Sequence, residues 1–88
     1  MNNRRSEFEI ISTILDLSKN GAKKTEILYK GNFSHARLKD YLTFLISYNF
    51  MEQKTIENNG QSNYYYIITQ KGKNFLIDIN RALSYFDE

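Results

Sequence analysis

Hydrophobic positions change their period along this chain. Between Ser6 and Lys19, the residues Phe8, Ile11, Ile14 and Leu15 recur at helical spacing, with Ile10 and Leu17 at the margin of the stripe. This predicts a first helix, with Ser6 and Glu9 at capping-box spacing and Asn20-Gly21 as its stop. The apolar arc is wide enough to pack against two neighbours. A short second helix is expected over about Lys24 to Lys30, with Ile27 and Leu28 inward and Glu26 in its first turn. Gly31-Asn32-Phe33 then breaks the pattern. Ser34 follows as the cap of a third helix reaching about Tyr48, where Leu38, Tyr41, Leu42, Leu45 and Ile46 form one stripe and Asn49 is the expected stop.

Beyond Asn49 the period shortens. Phe50 to Ile56 reads as a strand, and Glu57 to Ser62 carries turn chemistry around Asn59-Gly60. Asn63 to Thr69 contains Tyr64, Tyr65, Tyr66, Ile67 and Ile68, all strand-favouring, so a hairpin is predicted. The tyrosines alternate faces, which fits a strand packed on both sides better than a stacking platform for single-stranded nucleic acid. A last helix follows from about Lys71, with the stripe Phe75, Leu76, Ile79, Leu83 and Phe86.

Two helices joined by a Gly-containing turn, followed at once by a hairpin, predict an α+β but mostly α fold: a winged helix-turn-helix spanning residues 1–88 as one domain. In that arrangement the helix Ser34–Tyr48 enters a DNA major groove. Its apolar stripe leaves Ala36, Arg37, Lys39, Asp40, Thr43 and Ser47 facing outward. Arg37 and Lys39 can reach phosphates or guanine edges, and Thr43 can meet a thymine methyl. Ser34 and His35 stand at the helix start, where a phosphate is favoured; for Ser34 capping comes first, and His35 could equally lie over apolar neighbours. Lys23 and Lys24 are expected on backbone phosphate. At the hairpin tip Asn59 and Gln61 are short polar groups suited to phosphate or the minor groove.

Charge sharpens this reading. The 88 residues carry a net charge of only +2, yet residues 19–39 hold six of the twelve basic residues against the single acid Glu26. One basic segment on a nearly neutral chain implies a directed electrostatic face. The absence of cysteine and the presence of one histidine exclude disulfide scaffolds and Cys- or His-built metal sites. No phosphate loop, nucleophile motif or metal-ligand spacing is present, so no enzyme, cofactor or small-molecule ligand is indicated. No apolar run approaches a membrane span, and no apolar stretch follows Arg4 and Arg5 as a signal peptide would require; a cytoplasmic protein is expected.

Lys23-Lys24-Thr25-Glu26-Ile27-Leu28-Tyr29-Lys30-Gly31-Asn32-Phe33-Ser34 resembles the "Lys-Thr-x-Ile-Met-Tyr-x-Ala-Asn-Leu-Ser" segment of small archaeal winged-helix DNA-binding proteins. Leu38 to Leu45 is similar to their "Leu-x-x-Tyr-Leu-x-x-Leu", and Tyr65 to Gly72 to their "Tyr-x-x-Thr-x-Lys-Gly" entry into the last helix. The resemblance spans about Arg4 to Phe86. It implies a transcriptional regulator or a chromatin-associated DNA binder, related to the ten-kilodalton chromatin class whose members pair through their C-terminal helices. Gly31 and Phe33 depart from the pattern, each conservatively. The last helix, residues 71–87, is short for a long coiled coil. Leu76, Ile79, Leu83 and Phe86 nevertheless have the spacing of a seam, and a homodimer on duplex DNA is expected. The alternative from another class is a winged-helix module that binds protein within a larger complex.

Overall fold

The computed structural model describes residues 3–86, with side chains from Glu7 onward. Four helices surround one end of a three-stranded antiparallel sheet. They are α1 (Asn3–Leu17), α2 (Lys24–Gly31), α3 (His35–Ser47) and α4 (Gln70–Ser84); the strands are β1 (Ala22–Lys23), β2 (Met51–Asn58) and β3 (Gln61–Ile68). This is the winged helix-turn-helix arrangement that the periodicity predicts.

The core is built from the predicted stripes. Ile11, Ile14 and Leu15 of α1, Ile27 and Leu28 of α2, and Leu38, Leu42 and Leu45 of α3 are buried together with Met51, Tyr66, Ile68, Leu76 and Ile79. Burial of this apolar surface is the main stabilising term in so small a domain. Ser18 is the one buried polar side chain among the described residues. Its hydroxyl donates to the carbonyls of Ile14 and Leu15, while its own carbonyl accepts from Ile68 N–H at 3.0 Å. The end of α1 is thereby stitched to β3, with the buried Ser18 hydroxyl satisfied.

Several boundaries differ from the sequence expectation. Helix α1 begins at Asn3, so Ser6 lies within it and not at its cap; the expected Ser6 side-chain contact falls outside the described side chains. The hairpin is longer than predicted, with register running from Met51↔Ile68 to Asn58↔Gln61. Only Asn59 and Gly60 form its loop, both with positive φ (55° and 77°), the backbone a type I′ turn needs. A strand that the periodicity did not announce, β1, pairs with β3 through Ala22↔Tyr66 and Lys23↔Tyr65. Two residues are too few to show any period.

The C-terminal seam is corrected most. Leu76 and Ile79 are buried against α1 of the same chain, so they close the domain's own core and are not available to a second copy. Ser12 Oγ donates to Asn80 Oδ1 at 2.8 Å along the same α1–α4 contact. Of the four predicted seam residues, Leu83 is partly buried and Phe86 is half exposed. The heptad-like spacing is common to a seam and to a helix packed on one neighbour, which is why the sequence could not separate them.

The two departures from the family pattern, at 31 and 33, meet in space. A Cβ at Gly31 would run into the Phe33 ring, which packs on the core edge. Alanine at 31 is therefore expected to destabilise the native chain by about 1–3 kcal/mol. The cost should largely vanish in a Gly31→Ala, Phe33→Leu double variant. Additive effects in urea melts of the four proteins would show the two positions to be independent.

Among the described residues no helix is long and apolar enough to cross a membrane.

Candidate nucleic-acid interface

The turn between α2 and α3 is fixed by local hydrogen bonds. Asn32 takes the left-handed conformation (φ 58°), and its N–H and that of Phe33 donate to the carbonyls of Tyr29 and Leu28. Ser34 then caps α3: its hydroxyl accepts from Arg37 N–H at 3.3 Å. With Leu38, Leu42 and Leu45 buried, the residues on the far side of α3 are Ala36, Asp40, Thr43 and Ser47, all exposed. His35, at the start of α3, is exposed as well.

Arg37 and Lys39 are both exposed but do not point together. Two residues along a helix turn the side chain by roughly 200°, so they flank the outward face on opposite sides. Arg37 lies on the α1 side, in a cleft of about 340 Å³ shared with Glu7, Ile11, Asp40, Tyr41 and Phe44. A helix with a narrow small-residue face and one cation on each flank can lie in a groove with its cations toward the two backbones.

The second basic site is brought together by topology. Lys23 ends β1 and caps α2, with its backbone N–H donating to Glu26 Oε1 at 3.1 Å. Because β1 pairs with β3, Lys23, Lys24 and Thr25 share a cleft of about 250 Å³ with Ser62, Asn63, Tyr64 and Tyr66 of the hairpin. The sequence placed Lys23 and Lys24 only at a helix start; their partners on β3 were missed. The exposed Tyr64 and the polar pair Ser62-Asn63 were the available signal. Of the three tyrosines, Tyr66 is buried, Tyr65 half-buried and Tyr64 exposed, as a strand packed mainly by its inner end requires. Burial, with Tyr64 beside it, pushes the Tyr66 hydroxyl above its ordinary pKa, so it stays neutral across the physiological range.

The hairpin projects from the core, with every residue from Glu52 to Tyr64 exposed, including Asn59 and Gln61 at its tip. It is not strongly basic. Lys54 lies 3.8 Å from Glu52, and Glu57 stands near the tip.

The base of the hairpin is held by the motif at the start of α4. Thr69 Oγ1 accepts from Gly72 N–H at 2.9 Å and donates to the Asn49 carbonyl at 2.6 Å. Lys71 Nζ donates to the Tyr48 carbonyl and lies 5.0 Å above the Phe50 ring, which stacks on Phe75. Gly72 lets the Phe50 carbonyl pass where a Cβ would be. Thr69, Lys71 and Gly72 thus lock α4 onto the corner between α3 and β2, which sets how the third helix and the hairpin sit together.

A winged helix-turn-helix family model matches residues 4–85. Over 51 residues, 57% of this chain, the sequence is 39% identical to an uncharacterized protein of the archaeon Methanocaldococcus jannaschii; the chain spans about half, 53%, of that relative. Among solved structures, smu.1704 from Streptococcus mutans is similar with a TM-score of 0.80 at 19% identity, over 90% of this chain and 79% of that one. A PadR-like transcription factor from Bacteroides fragilis gives 0.76 at 22% identity, over 98% and 93% of the two chains. F-93 of SSV1 gives 0.61 at 26% identity, over 90% and 88%. With the family match covering nearly its whole length and the same architecture in its fold, the chain belongs to the winged helix-turn-helix family.

Proposed function

We propose that this protein binds duplex DNA, with α3 in the major groove and the β2–β3 hairpin against the neighbouring backbone, and that it acts as a transcriptional regulator or chromatin-associated factor. The observation that carries this reading is α3 itself: a capped helix whose outward face is small and polar, with Arg37 and Lys39 on its two flanks. Lys23 and Lys24 at the α2 start add a sequence-independent contact to phosphate. Membership of a family that includes DNA-binding regulators supports the reading, as does the fold shared with a PadR-like transcription factor. A DNA partner accords with a cytoplasmic location. A salt titration of binding to random duplex tests it: affinity should fall linearly on a log–log plot, with a slope set by the number of phosphate contacts. Binding indifferent to salt, or absent at low salt, would return the α3 face to a protein partner.

We further infer that the protein works as a homodimer through the joined ends of α1 and α4. With Leu76 and Ile79 internal, the pairing surface is formed by Leu83 and Phe86 together with Phe8, which remains 37% exposed. Twofold pairing would present two copies of α3 to successive grooves. Sedimentation equilibrium at micromolar concentration should give twice 10.4 kDa, reduced to 10.4 kDa in a Leu83→Glu, Phe86→Glu variant. A native mass of 10.4 kDa would exclude the dimer.

A further inference from the structure

Asp40 is an acid where the electrostatics of DNA binding disfavour one. It stands at the centre of the outward face of α3, between Ala36 and Thr43 and opposite Leu38, Leu42 and Leu45. Among the described residues, the ordinary uses of a helical aspartate do not apply to it. It lies in the second turn, past the N-terminal N–H groups that favour a carboxylate. Among the described residues it makes no ion pair and no side-chain hydrogen bond, although Arg37 is three residues before it and lines the same cleft. Among the described side chains, the charged one that α1 brings to that cleft is Glu7, another acid.

Next to phosphate, such a carboxylate is repelled. The base edges of the major groove offer what would compensate it: an exocyclic amino group, which an aspartate accepts from cytosine. We propose that Asp40 is the residue by which α3 selects its DNA sequence, its carboxylate accepting a hydrogen bond from the N4 amino group of a cytosine. The assignment rests on the DNA-binding reading above. Arg37 and Lys39, turned to the two flanks, then hold the helix in register on phosphate, and Asp40 supplies discrimination by penalising every site that lacks a donor beneath it. Thr43, the next outward residue, meets the neighbouring base pair.

The test is selection from a random duplex library by the native protein, Asp40→Ala and Asp40→Asn, each checked for native circular dichroism. The selected duplex is then compared with its C·G→T·A variant by competition. The native protein should fix one C·G pair and prefer it by roughly five- to 150-fold. Asp40→Ala should lose that preference and bind random duplex at least as tightly as the native protein. Asp40→Asn should shift the selected base toward adenine, whose N6 and N7 match an amide. A consensus left unchanged by Asp40→Ala, or a native consensus with no fixed C·G pair, overturns the assignment while leaving DNA binding intact. Failure of the native protein to bind any duplex at low salt overturns both.

Discussion

Alanine in place of Gly72 is expected to lower the stability of the fold by about 2–3 kcal/mol, even though it stands in a helix. At an exposed helical site the same change would stabilise by about 1 kcal/mol, because glycine is the poorer helix former. Here the added Cβ would run into the Phe50 carbonyl oxygen and come within 2.7 Å of Ile68 Cγ1. The carbonyl is a backbone atom tied to Thr69 N–H at 3.1 Å, so it cannot swing aside as a side chain could. Overpacking therefore exceeds the propensity gain. Relief requires α4 to lift from the α3–β2 corner, which loosens the Thr69 cap and the Lys71 contact to Tyr48 as well. In a domain whose whole stability is of the order of 5–10 kcal/mol the loss is severe. Urea melts should show the midpoint falling by about 2 M at unchanged slope. A midpoint that holds or rises would mean that α4 is not seated on Phe50.

Removing Arg37 and Lys39 together is expected to cost the largest share of DNA affinity available from any two side chains. If Arg37 reads a guanine, its loss alone costs about 1–3 kcal/mol; on phosphate it costs less and acts on all sequences alike. Lying on opposite flanks of α3, with no shared partner among the described residues, the two should contribute additively. Each phosphate contact removed should flatten the log–log salt dependence by roughly one unit, and the same holds for Lys23 and Lys24. Both α3 side chains are exposed, so the folded state should be unaffected, and circular dichroism would verify it. Fluorescence anisotropy on a labelled duplex at several salt concentrations gives affinity and slope in one experiment. A double variant that binds as the native protein does would remove α3 from the groove.

Charge asymmetry in the sequence marked out a segment but could not resolve its geometry. The run from Lys19 to Lys39 divides in space into separate basic sites. Lys23 and Lys24 join the hairpin through β1, while Arg37 and Lys39 flank α3 on opposite sides. Adjacent residues on a helix diverge, and distant ones on paired strands converge; linear charge counts record neither.

What the sequence determined by itself was everything governed by near neighbours. Apolar spacing marked α1 to α4, Ser34 marked the α3 cap, Asn59-Gly60 marked the hairpin loop, and the order of these elements determined the fold, because each signal acts over a few residues. The tertiary structure decided the rest. Pairing with β3 made a strand of Ala22-Lys23, two residues with no period of their own. The packing of α1 on α4 turned Leu76 and Ile79 from a seam into core. The ring of Phe33 explained Gly31, and the passing Phe50 carbonyl explained Gly72. These are contacts between segments, and the energy of a contact depends on which surfaces meet, which a periodic pattern leaves open.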